Sequence, residues 1–359
     1  MSLSIGIVGL PNVGKSTLFN ALTNSNILAA NYPFATIEPN TGIVPVSDIR
    51  LEKLAEMYKS QKIVPATVTF VDIAGLVAGA SQGEGLGNQF LSHIRSCDAI
   101  CQVVRAFKDD NVVHVDNTVD SSKDISVINT ELVLADLQTV DKRLPRTEKE
   151  SRANPKLKPI LDSLLKAKEI LDEGTPLSHK SDELDIELIS DLQLITAKPM
   201  LYIFNVDEET LADENRKSEL AKIVGSAGAV FICAKLESEL AGLDESESQE
   251  LLETYGVADS GLKLLIKNAY EILGLQSYLT AGEKEVRAWT IKKGYTAPQA
   301  AGVIHGDFER GFIAAQIVSY NDLIQAGSEA SAKSAGKVRT EGKTYVMQPD
   351  DVVEFRFNV

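Results

Sequence analysis

A phosphate-binding loop lies near the start of the chain, where residues 9–16 read GLPNVGKS and match the pattern G-x-x-x-x-G-K-S. An apolar stretch that predicts a strand precedes it and a helical pattern follows it, which is the setting that this loop requires. Lys15 has the length to reach the β and γ oxygens of a nucleotide, and Ser16 offers a hydroxyl to Mg²⁺. We therefore predict a nucleoside triphosphate site whose phosphate contacts come from Asn12, Val13, Gly14, Lys15, Ser16 and Thr17.

A second pattern, D-x-x-G, occupies residues 72–75 after an apolar stretch that predicts a strand. The Asp72 carboxylate would hold Mg²⁺, and the N–H of Gly75 can approach a γ-phosphate because glycine has no side chain. Thr36 follows the first predicted helix and could place its hydroxyl on the metal. We expect Ser16, Thr36 and Asp72 as metal ligands. Loss of the γ-phosphate would release Thr36 and Gly75, as in an order-to-disorder switch.

The position after Gly75 is Leu76, where Ras-like enzymes carry the glutamine that orients the attacking water. A leucine cannot hydrogen-bond to water, so hydrolysis is either very slow without a partner or served by another polar group. His93 and His114 are the candidates in this half of the chain. We predict His114 as the catalytic residue, because a histidine on a polar loop has a pKa suited to ordering a water. A solvated surface histidine is an equally good interpretation.

Residues 205–208, NVDE, stand where guanine-selective proteins carry Asn-Lys-x-Asp. The carboxylate of Glu208 is one methylene longer than aspartate, so guanine loses the paired acceptors for its N1–H and 2-amino groups. Asn205 can pair with N7 and N6 of adenine, and a displaced Glu208 need not repel that base. We therefore predict that ATP binds better than GTP. The predicted residues around the base are Asn205, Val206, Glu208, Cys233, Ala234 and Lys235.

Asn12 suggests a second cation. An asparagine at this place in the loop is compatible with K⁺ beside the β and γ phosphates, where the ion could replace an arginine finger. A turn-forming asparagine explains the residue equally well.

The elements that must position these residues predict an α/β fold. Residues 1–125 and 196–275 alternate strands and helices in the manner of a nucleotide-binding sheet. Residues 126–195 have helical periodicity that Pro155 and Pro159 interrupt, which indicates a helical hairpin inserted into the sheet domain. Short alternating segments in residues 276–359 predict a separate small mixed sheet.

The charge of the chain is −15, which argues against binding nucleic acid through the field of the whole molecule. Residues 142–168 differ, with nine Lys or Arg against three acids, a local +6. This patch is either an RNA contact or an ordinary solvated helix face, and the sequence favours neither.

Three cysteines, Cys97, Cys101 and Cys233, form no disulfide framework and are interpreted as small buried apolar residues. No stretch resembles a signal peptide or a membrane span, so we expect a soluble, cytoplasmic protein. We also expect it to be a monomer.

The motifs at residues 9–23, 72–76, 205–208, 290–294 and 304–308 together resemble those of the YchF, or Obg-like ATPase, family. The resemblance covers essentially the whole chain. It implies a Ras-like P-loop domain with a helical insertion and a C-terminal TGS domain of the β-grasp type. It further implies preference for ATP, absence of the catalytic glutamine, a mobile-loop histidine corresponding to His114, and association with ribosomes through the insertion and the TGS domain.

The function expected on these grounds is that of a slow Mg²⁺-dependent ATPase switch on the translation machinery. A GTP-dependent nucleic-acid-binding protein is the alternative. A small-molecule kinase sharing the phosphate loop is disfavoured by the order of the motifs, and a vestigial nucleotide site on a nucleic-acid-binding module would leave any ATPase rate insensitive to loss of Lys15.

Overall fold

The structure is a computed structural model, and it describes residues 3–24, 41–73, 86–107, 119–225 and 227–358. The chain divides into two compact units. The first consists of Met1–Val44 with Thr69–Ile272, and the second of Pro45–Val68 with Leu273–Val359.

Strands and helices alternate along most of the described chain. The strands are β1 (Ser4–Gly9), β2 (Thr41–Pro45), β3 (Ile63–Val64), β4 (Thr67–Asp72), β5 (Ala99–Arg105), β6 (Met200–Asn205), β7 (Gly228–Ile232), β8 (Leu275–Ala281), β9 (Val286–Lys292), β10 (Phe312–Ser319), β11 (Arg339–Glu341) and β12 (Asp351–Phe357). The α-helices are α1 (Lys15–Asn24), α2 (Ile49–Tyr58), α3 (Leu86–Ser96), α4 (Ser121–Ala153), α5 (Lys158–Asp172), α6 (Glu208–Ala212), α7 (Glu214–Val224), α8 (Ala234–Leu240), α9 (Glu245–Thr254), α10 (Gly261–Ile272), α11 (Ala297–Ile304), α12 (Gly306–Arg310), α13 (Tyr320–Ala326) and α14 (Glu329–Ser334).

The first unit contains a six-stranded sheet in the order β2-β4-β1-β5-β6-β7, in which the pairs from β4 to β7 are parallel. Strands β5 and β6 are buried along their whole length, as expected for parallel strands covered on both faces. Parallel strands bring their carboxyl ends to one edge of the sheet, which is where α/β proteins bind ligands. The predicted α/β fold is confirmed, and Gly9, Asp72, Asn205 and Ile232 end their strands at this edge.

The helical insertion is a hairpin of α4 and α5. Helix α4 begins after Asp120, whose side chain accepts from the N–H of Lys123, and continues past Pro145. The chain turns at Asn154, and Pro159 stands in the first turn of α5, where a proline is tolerated. Apolar side chains of both helices share a core with the 3₁₀ segments Leu177–Glu183 and Ile186–Leu192. The predicted hairpin is confirmed, although its first helix begins at residue 121, before the predicted boundary of 126.

The second unit contains another six-stranded sheet, in the order β11-β10-β12-β8-β9-β3. Strand β8 is antiparallel to β9 and parallel to β12, and β10 is antiparallel to both β12 and β11. This arrangement of two hairpins around a parallel central pair is that of a β-grasp. Helix α11 packs on the sheet through Ala297, Ala300 and Ala301, which share a core with Tyr278.

Residues 45–68 differ from the predicted domain boundaries, which placed them with the nucleotide-binding sheet. Strand β3 instead adds to the edge of the second sheet, where Ile63 pairs with Val286. Helix α2 contacts β8 and β9 and buries Leu51 and Leu54. Partners so distant in sequence leave no local pattern, so the sequence could not indicate this exchange.

A search for membrane spans found no helix in the described ranges that is both long enough and apolar enough to cross a bilayer.

Candidate nucleotide-binding site

The phosphate loop connects the end of β1 to the start of α1. Gly14 has a φ of 92° and Asn12 a φ of 63°, both in the left-handed region that glycine and, less readily, asparagine adopt. A side chain at Gly9 would lie 2.9 Å from the carbonyl oxygen of Val103, so glycine lets the loop pass close to β5. The turn conformation of Asn12 agrees with its turn-forming interpretation, and its contact with K⁺ stays a prediction.

Asn205 joins three of the predicted parts of the site. Its Nδ2 donates to the carbonyl oxygen of Val13 at 2.9 Å, and its Oδ1 accepts from the N–H of Ala234 at 3.1 Å. The residue is buried at the end of β6, so it fixes the phosphate loop relative to the start of α8. One N–H and one lone pair of the amide remain for a purine. Sequence reasoning predicted the base contact of Asn205 but missed this structural role.

Lys15 and Asp72 form an ion pair at the mouth of the loop, and both side chains are largely buried. Their proximity follows from the parallel pairing of β1 with β4, which sets Ile7 beside Asp72. Ser16 and Thr17 are exposed in the first turn of α1. A hydroxyl and a carboxylate are the oxygen ligands that Mg²⁺ prefers, so the donor set of Ser16 and Asp72 fits this ion.

Three predicted residues of the site, Thr36, Gly75 and His114, lie outside the described residues, as does Leu76. Their proposed roles stay predictions. His93, the weaker candidate, lies in the last turn of α3. That turn leads to Asp98, which is hydrogen-bonded to Ser4 at the start of β1, so His93 is at the sheet edge opposite the phosphate loop.

The residues predicted to surround the base meet between β6 and α8. The carboxylate of Glu208 pairs with the ammonium of Lys235 at 3.0 Å. A hydrogen bond from its own backbone N–H, and then Lys235, hold the pKa of Glu208 below its ordinary value. Asp207 does not face the base in this arrangement, because its side chain caps α6 by accepting from the N–H of Thr210 at 2.9 Å.

Val206, Cys233 and Ala234 are buried in the protein. Only 2% of Val206 is exposed, so the structure gives its side chain a packing role, and its contact with a base stays a prediction. Burial raises the pKa of the Cys233 thiol, and Cys97 and Cys101 are buried as well, which confirms the interpretation of all three as small apolar residues.

Arg105 is a buried residue of this region that the sequence analysis did not identify. It ends β5 opposite Asn205, and its guanidinium lies 4.5 Å from the centre of the Phe107 ring. The hydroxyl of Ser121, the first residue of α4, donates to its carbonyl oxygen at 2.9 Å. Arg105 therefore ties the carboxyl edge of the sheet to the first helix of the insertion. The only sequence signal was a charge at the end of an apolar strand.

Comparison with known proteins identifies the family of this chain. Over 366 residues the chain is 54% identical to the ribosome-binding ATPase YchF of Bacillus subtilis, and the alignment covers 100% of both proteins. The chain belongs to the YchF family. A second YchF, the ribosome-binding ATPase of Escherichia coli O157:H7, is 49% identical over 365 residues, again with 100% of both proteins covered.

Structure and family models agree with a YchF protein. The solved structure of the YchF GTPase from Schizosaccharomyces pombe matches with a TM-score of 0.88 at 40% identity, covering 99% of this chain and 98% of that one. A family model described as "50S ribosome-binding GTPase" matches residues 4–136. The model YchF-GTPase_C, described as "Protein of unknown function (DUF933)", matches residues 275–358. The resemblance to the YchF family is thereby confirmed, although the names of its members differ on the nucleotide.

Proposed function

We propose that this chain is a Mg²⁺-dependent ATPase that works as a nucleotide-controlled switch on the ribosome. Two curated relatives that match over their full length are named ribosome-binding ATPases. The phosphate loop, the hydrogen bond from Asn205 to this loop and the carboxylate of Asp72 support nucleotide binding on this fold. Because it would act on ribosomes, we propose that the protein is located in the cytoplasm.

The preference for ATP rests on the ion pair between Glu208 and Lys235. Recognition of guanine requires a carboxylate free to accept from N1–H and the 2-amino group. Here the carboxylate at that place is held by an ammonium group at 3.0 Å, so it is a poorer acceptor for the edge of guanine. Partial neutralisation by Lys235 also weakens the repulsion between Glu208 and the unprotonated N1 of adenine.

Each residue of the site has a separate task in the proposed reaction. Lys15 binds the β and γ oxygens, and the N–H of Gly75 contacts the γ-phosphate. Ser16, Thr36 and Asp72 would hold Mg²⁺, which when bound neutralises charge on the phosphate oxygens. His114 orders the attacking water in place of the missing glutamine, and K⁺ near Asn12 is a further proposed contact.

Calorimetric titration of the full chain with MgATP and MgGTP tests the choice of base. We expect ATP to bind at least about tenfold more tightly, a difference of about 1.4 kcal/mol. Glu208→Asp shortens the side chain and withdraws it from Lys235. The variant should therefore lower the ratio of the affinity for ATP to the affinity for GTP. Glu209→Asp makes the same change one residue away, on a side chain that pairs with Arg216, and should leave the ratio unchanged. Tighter binding of GTP by the unaltered chain would contradict the proposal.

The insertion supplies the surface that we propose contacts ribosomal RNA. Several of its cations pair with acids of the hairpin or of the 3₁₀ segments that follow it: Arg143 with Asp191, Arg146 with Glu150, Lys166 with Glu169 and Glu183, and Lys168 with Asp141 and Asp172. Four others around the turn are exposed and have no acidic partner within the described ranges. This group, the basic tip, consists of Lys149, Arg152, Lys156 and Lys158.

The arrangement favours the RNA-contact interpretation of the positive patch over that of a solvated helix face. Cations neutralised by neighbouring acids contribute little to attracting a polyanion. Unpaired, solvated cations can neutralise phosphates of the RNA, and the counterions that were condensed on those phosphates are then released. The basic tip gathers such cations at the turn between α4 and α5 of an otherwise acidic chain.

A further inference from the structure

The end of α3 is attached to the insertion through Arg95. Its Nη2 donates to the hydroxyl of Thr139 at 2.9 Å and lies 3.7 Å from a carboxylate oxygen of Asp136, both on α4. Its Nη1 donates to the carbonyl oxygen of Gln193 at 3.3 Å, in the segment that returns from the insertion to β6. One guanidinium therefore contacts the chain that enters the insertion and the chain that leaves it.

Asp136 links the same two chains to each other. Its completely buried carboxylate accepts from the N–H of Ile195 at 2.9 Å, and from the N–H and hydroxyl of Thr196 at 2.7 and 2.8 Å. Burial raises the pKa of Asp136, although these donors and Arg95 oppose the effect. The start and the end of the insertion are thus joined at one point, and Arg95 of α3 is attached to that point.

Lys198 binds the carboxyl end of α3. Its ammonium donates to the carbonyl oxygens of Arg95 at 2.6 Å and Ile94 at 3.3 Å, and to that of Cys97. Ile94 and Arg95 lie in the last turn of α3 and Cys97 follows it, so Lys198 binds carbonyls at the carboxyl end of this helix. We call the set of Arg95, Asp136, Thr139, Thr196 and Lys198 the α3 junction.

A groove open to the surface adjoins the α3 junction. Its volume is about 390 Å³, and the residues that line it include Arg95, Cys97, Ile186, Ile189, Leu194 and Lys198. The α3 junction is therefore held by directed polar contacts, with an open groove beside it into which α3 could shift.

Buried polar atoms of the described residues are unpaired where α4 contacts the sheet. Both polar atoms of the buried Gln102 side chain on β5, and Oδ1 of Asn129 on α4, have no hydrogen-bond partner in the described part of the protein. Asn129 contacts the hydroxyl of Tyr202 at 3.4 Å, and Tyr202 is paired with Gln102 across β6 and β5. Buried polar groups are usually paired, so an unpaired set at the contact between α4 and the sheet is a place where a second arrangement could form.

We propose that Arg95 is a positioning residue that transmits the nucleotide state to the insertion. Helix α3 is the first described element after the D-x-x-G stretch at residues 72–75, where the γ-phosphate is expected to be sensed. A shift of α3 in response to the nucleotide would pull on Asp136 and Thr139 and on the chain at Gln193 together, so the hairpin would move as one body. The inference rests on the proposed switch function, and it names the route by which the switch reaches the basic tip.

A distance measurement between two labels tests this route in the full chain. The three native cysteines are buried, so labels can be directed to cysteines introduced at Ala153, at the end of α4, and Lys222, on α7. Spin-label distances are measured with Mg²⁺ and either a non-hydrolysable ATP analogue or ADP. The chain with wild-type Arg95 should show a distance that differs between the two nucleotides. Arg95→Met should abolish most of that difference and leave ATP binding largely unchanged.

Two further variants separate transmission from simple stabilisation. Arg143→Met removes an arginine of the insertion that pairs with Asp191. The side chain of Arg143 is 33% exposed, compared with 24% for Arg95, so this variant is a matched control. It should preserve the nucleotide-dependent difference. Thr139→Val removes one acceptor of Arg95 with little change of shape and should reduce the difference in label distance between the two nucleotides. This variant tests the proposal if Arg95→Met does not fold.

The inference is overturned if Arg95→Met retains the full difference, or if a chain that binds ATP shows the same label distance with both nucleotides. Failure to bind any nucleotide would overturn the proposed function instead, so the two claims fail separately.

Discussion

The nucleotide site and the basic tip belong to the same compact unit but arrange their cations in opposite ways. At the nucleotide site, Lys15 is paired with Asp72 and Lys235 with Glu208. At the basic tip, Lys149, Arg152 and Lys156 are exposed and unpaired within the described ranges. The first arrangement fixes each charge in a defined geometry, whereas the second leaves the charges solvated.

This difference corresponds to two kinds of recognition. A single small anion is bound through directed hydrogen bonds, so its cations must be positioned before it arrives. A polyanion offers many equivalent phosphates and is attracted through counterion release, which needs little geometric precision and depends strongly on salt. The same residue types thus serve specific binding at one end of the unit and broad electrostatic attraction at the other.

Removal of Lys15, at the nucleotide site, is expected to have the largest effect of the variants considered, and this effect is on the affinity for ATP. In Lys15→Ala, two charge-assisted hydrogen bonds to phosphate oxygens are lost, each worth about 2 kcal/mol. Affinity for ATP, measured by calorimetry, should fall on the order of 1,000-fold. Lys222→Ala removes an exposed lysine of α7 and should bind ATP normally. Wild-type affinity and ATPase rate in Lys15→Ala would indicate a vestigial site.

His114→Ala should separate binding from hydrolysis at the nucleotide site. We propose that this residue acts only on the attacking water, so kcat should fall about 100-fold while the affinity for ATP is nearly retained. Single-turnover hydrolysis with calorimetry in parallel measures both quantities. His93→Ala, on a helix turn at the opposite edge of the sheet, is the control and should hydrolyse ATP at the normal rate. A comparable loss of binding in His114→Ala would contradict its assigned role.

Neutralising three of the four cations of the basic tip tests the second arrangement, in which the charges are solvated. The triple variant Lys149→Gln, Arg152→Gln and Lys156→Gln should bind ribosomes at least about tenfold more weakly at low salt. If each cation meets one phosphate, the slope of log affinity against log salt should become shallower by about 2 to 3. Co-sedimentation with ribosomes over a salt series measures this slope.

A matched triple variant neutralises cations of the same hairpin that already have acidic partners, namely Arg146→Gln, Lys166→Gln and Lys168→Gln. It changes the net charge by the same amount but should alter the slope much less. Equal slopes for the two triple variants would show that only the total charge matters, and the distinction between paired and unpaired cations would have to be abandoned.

The sequence predicted those parts of the molecule that depend on local pattern. Strands β1 and β4 lie where the apolar stretches before the phosphate loop and before Asp72 indicated them, and the helical hairpin turns near Pro155 as expected. The phosphate loop was predicted because its glycines and lysine act within one short segment. In each case the signal and the structure it determines lie within a few residues of one another.

Long-range contacts explain what the sequence did not reveal. The pairing of Ile63 with Val286, which draws residues 45–68 into the second unit, depends on a strand far along the chain. The clamp of Asn205 on Val13 and Ala234 depends on the register of two strands. A count of +6 over residues 142–168 likewise could not tell which cations have acidic partners, since those partners lie partly outside the patch, as Asp191 and Glu183 do.

The smallest expected effect concerns the contribution of the Glu208–Lys235 pair to stability. Because the pKa of Glu208 in the folded chain lies below its ordinary value, ionised Glu208 stabilises the fold at neutral pH, and this stabilisation is lost as the pH falls through the lowered pKa. Lys235 is 73% exposed, so the pair is screened by solvent and should contribute little to the stability of the fold. Glu208→Gln should therefore lower the apparent Tm at pH 7 by no more than about 2 °C.

Thermal melts of the wild-type chain, Glu208→Gln and Glu209→Gln at neutral pH and at about pH 4 measure this contribution. Glu209 is the matched control, since it neighbours Glu208 but pairs with Arg216 at the longer distance of 3.8 Å. The difference in Tm between wild type and Glu208→Gln should shrink on acidification. A difference that grows at low pH would mean that ionised Glu208 destabilises the fold, and the ion pair could then not be what holds its carboxylate away from the base.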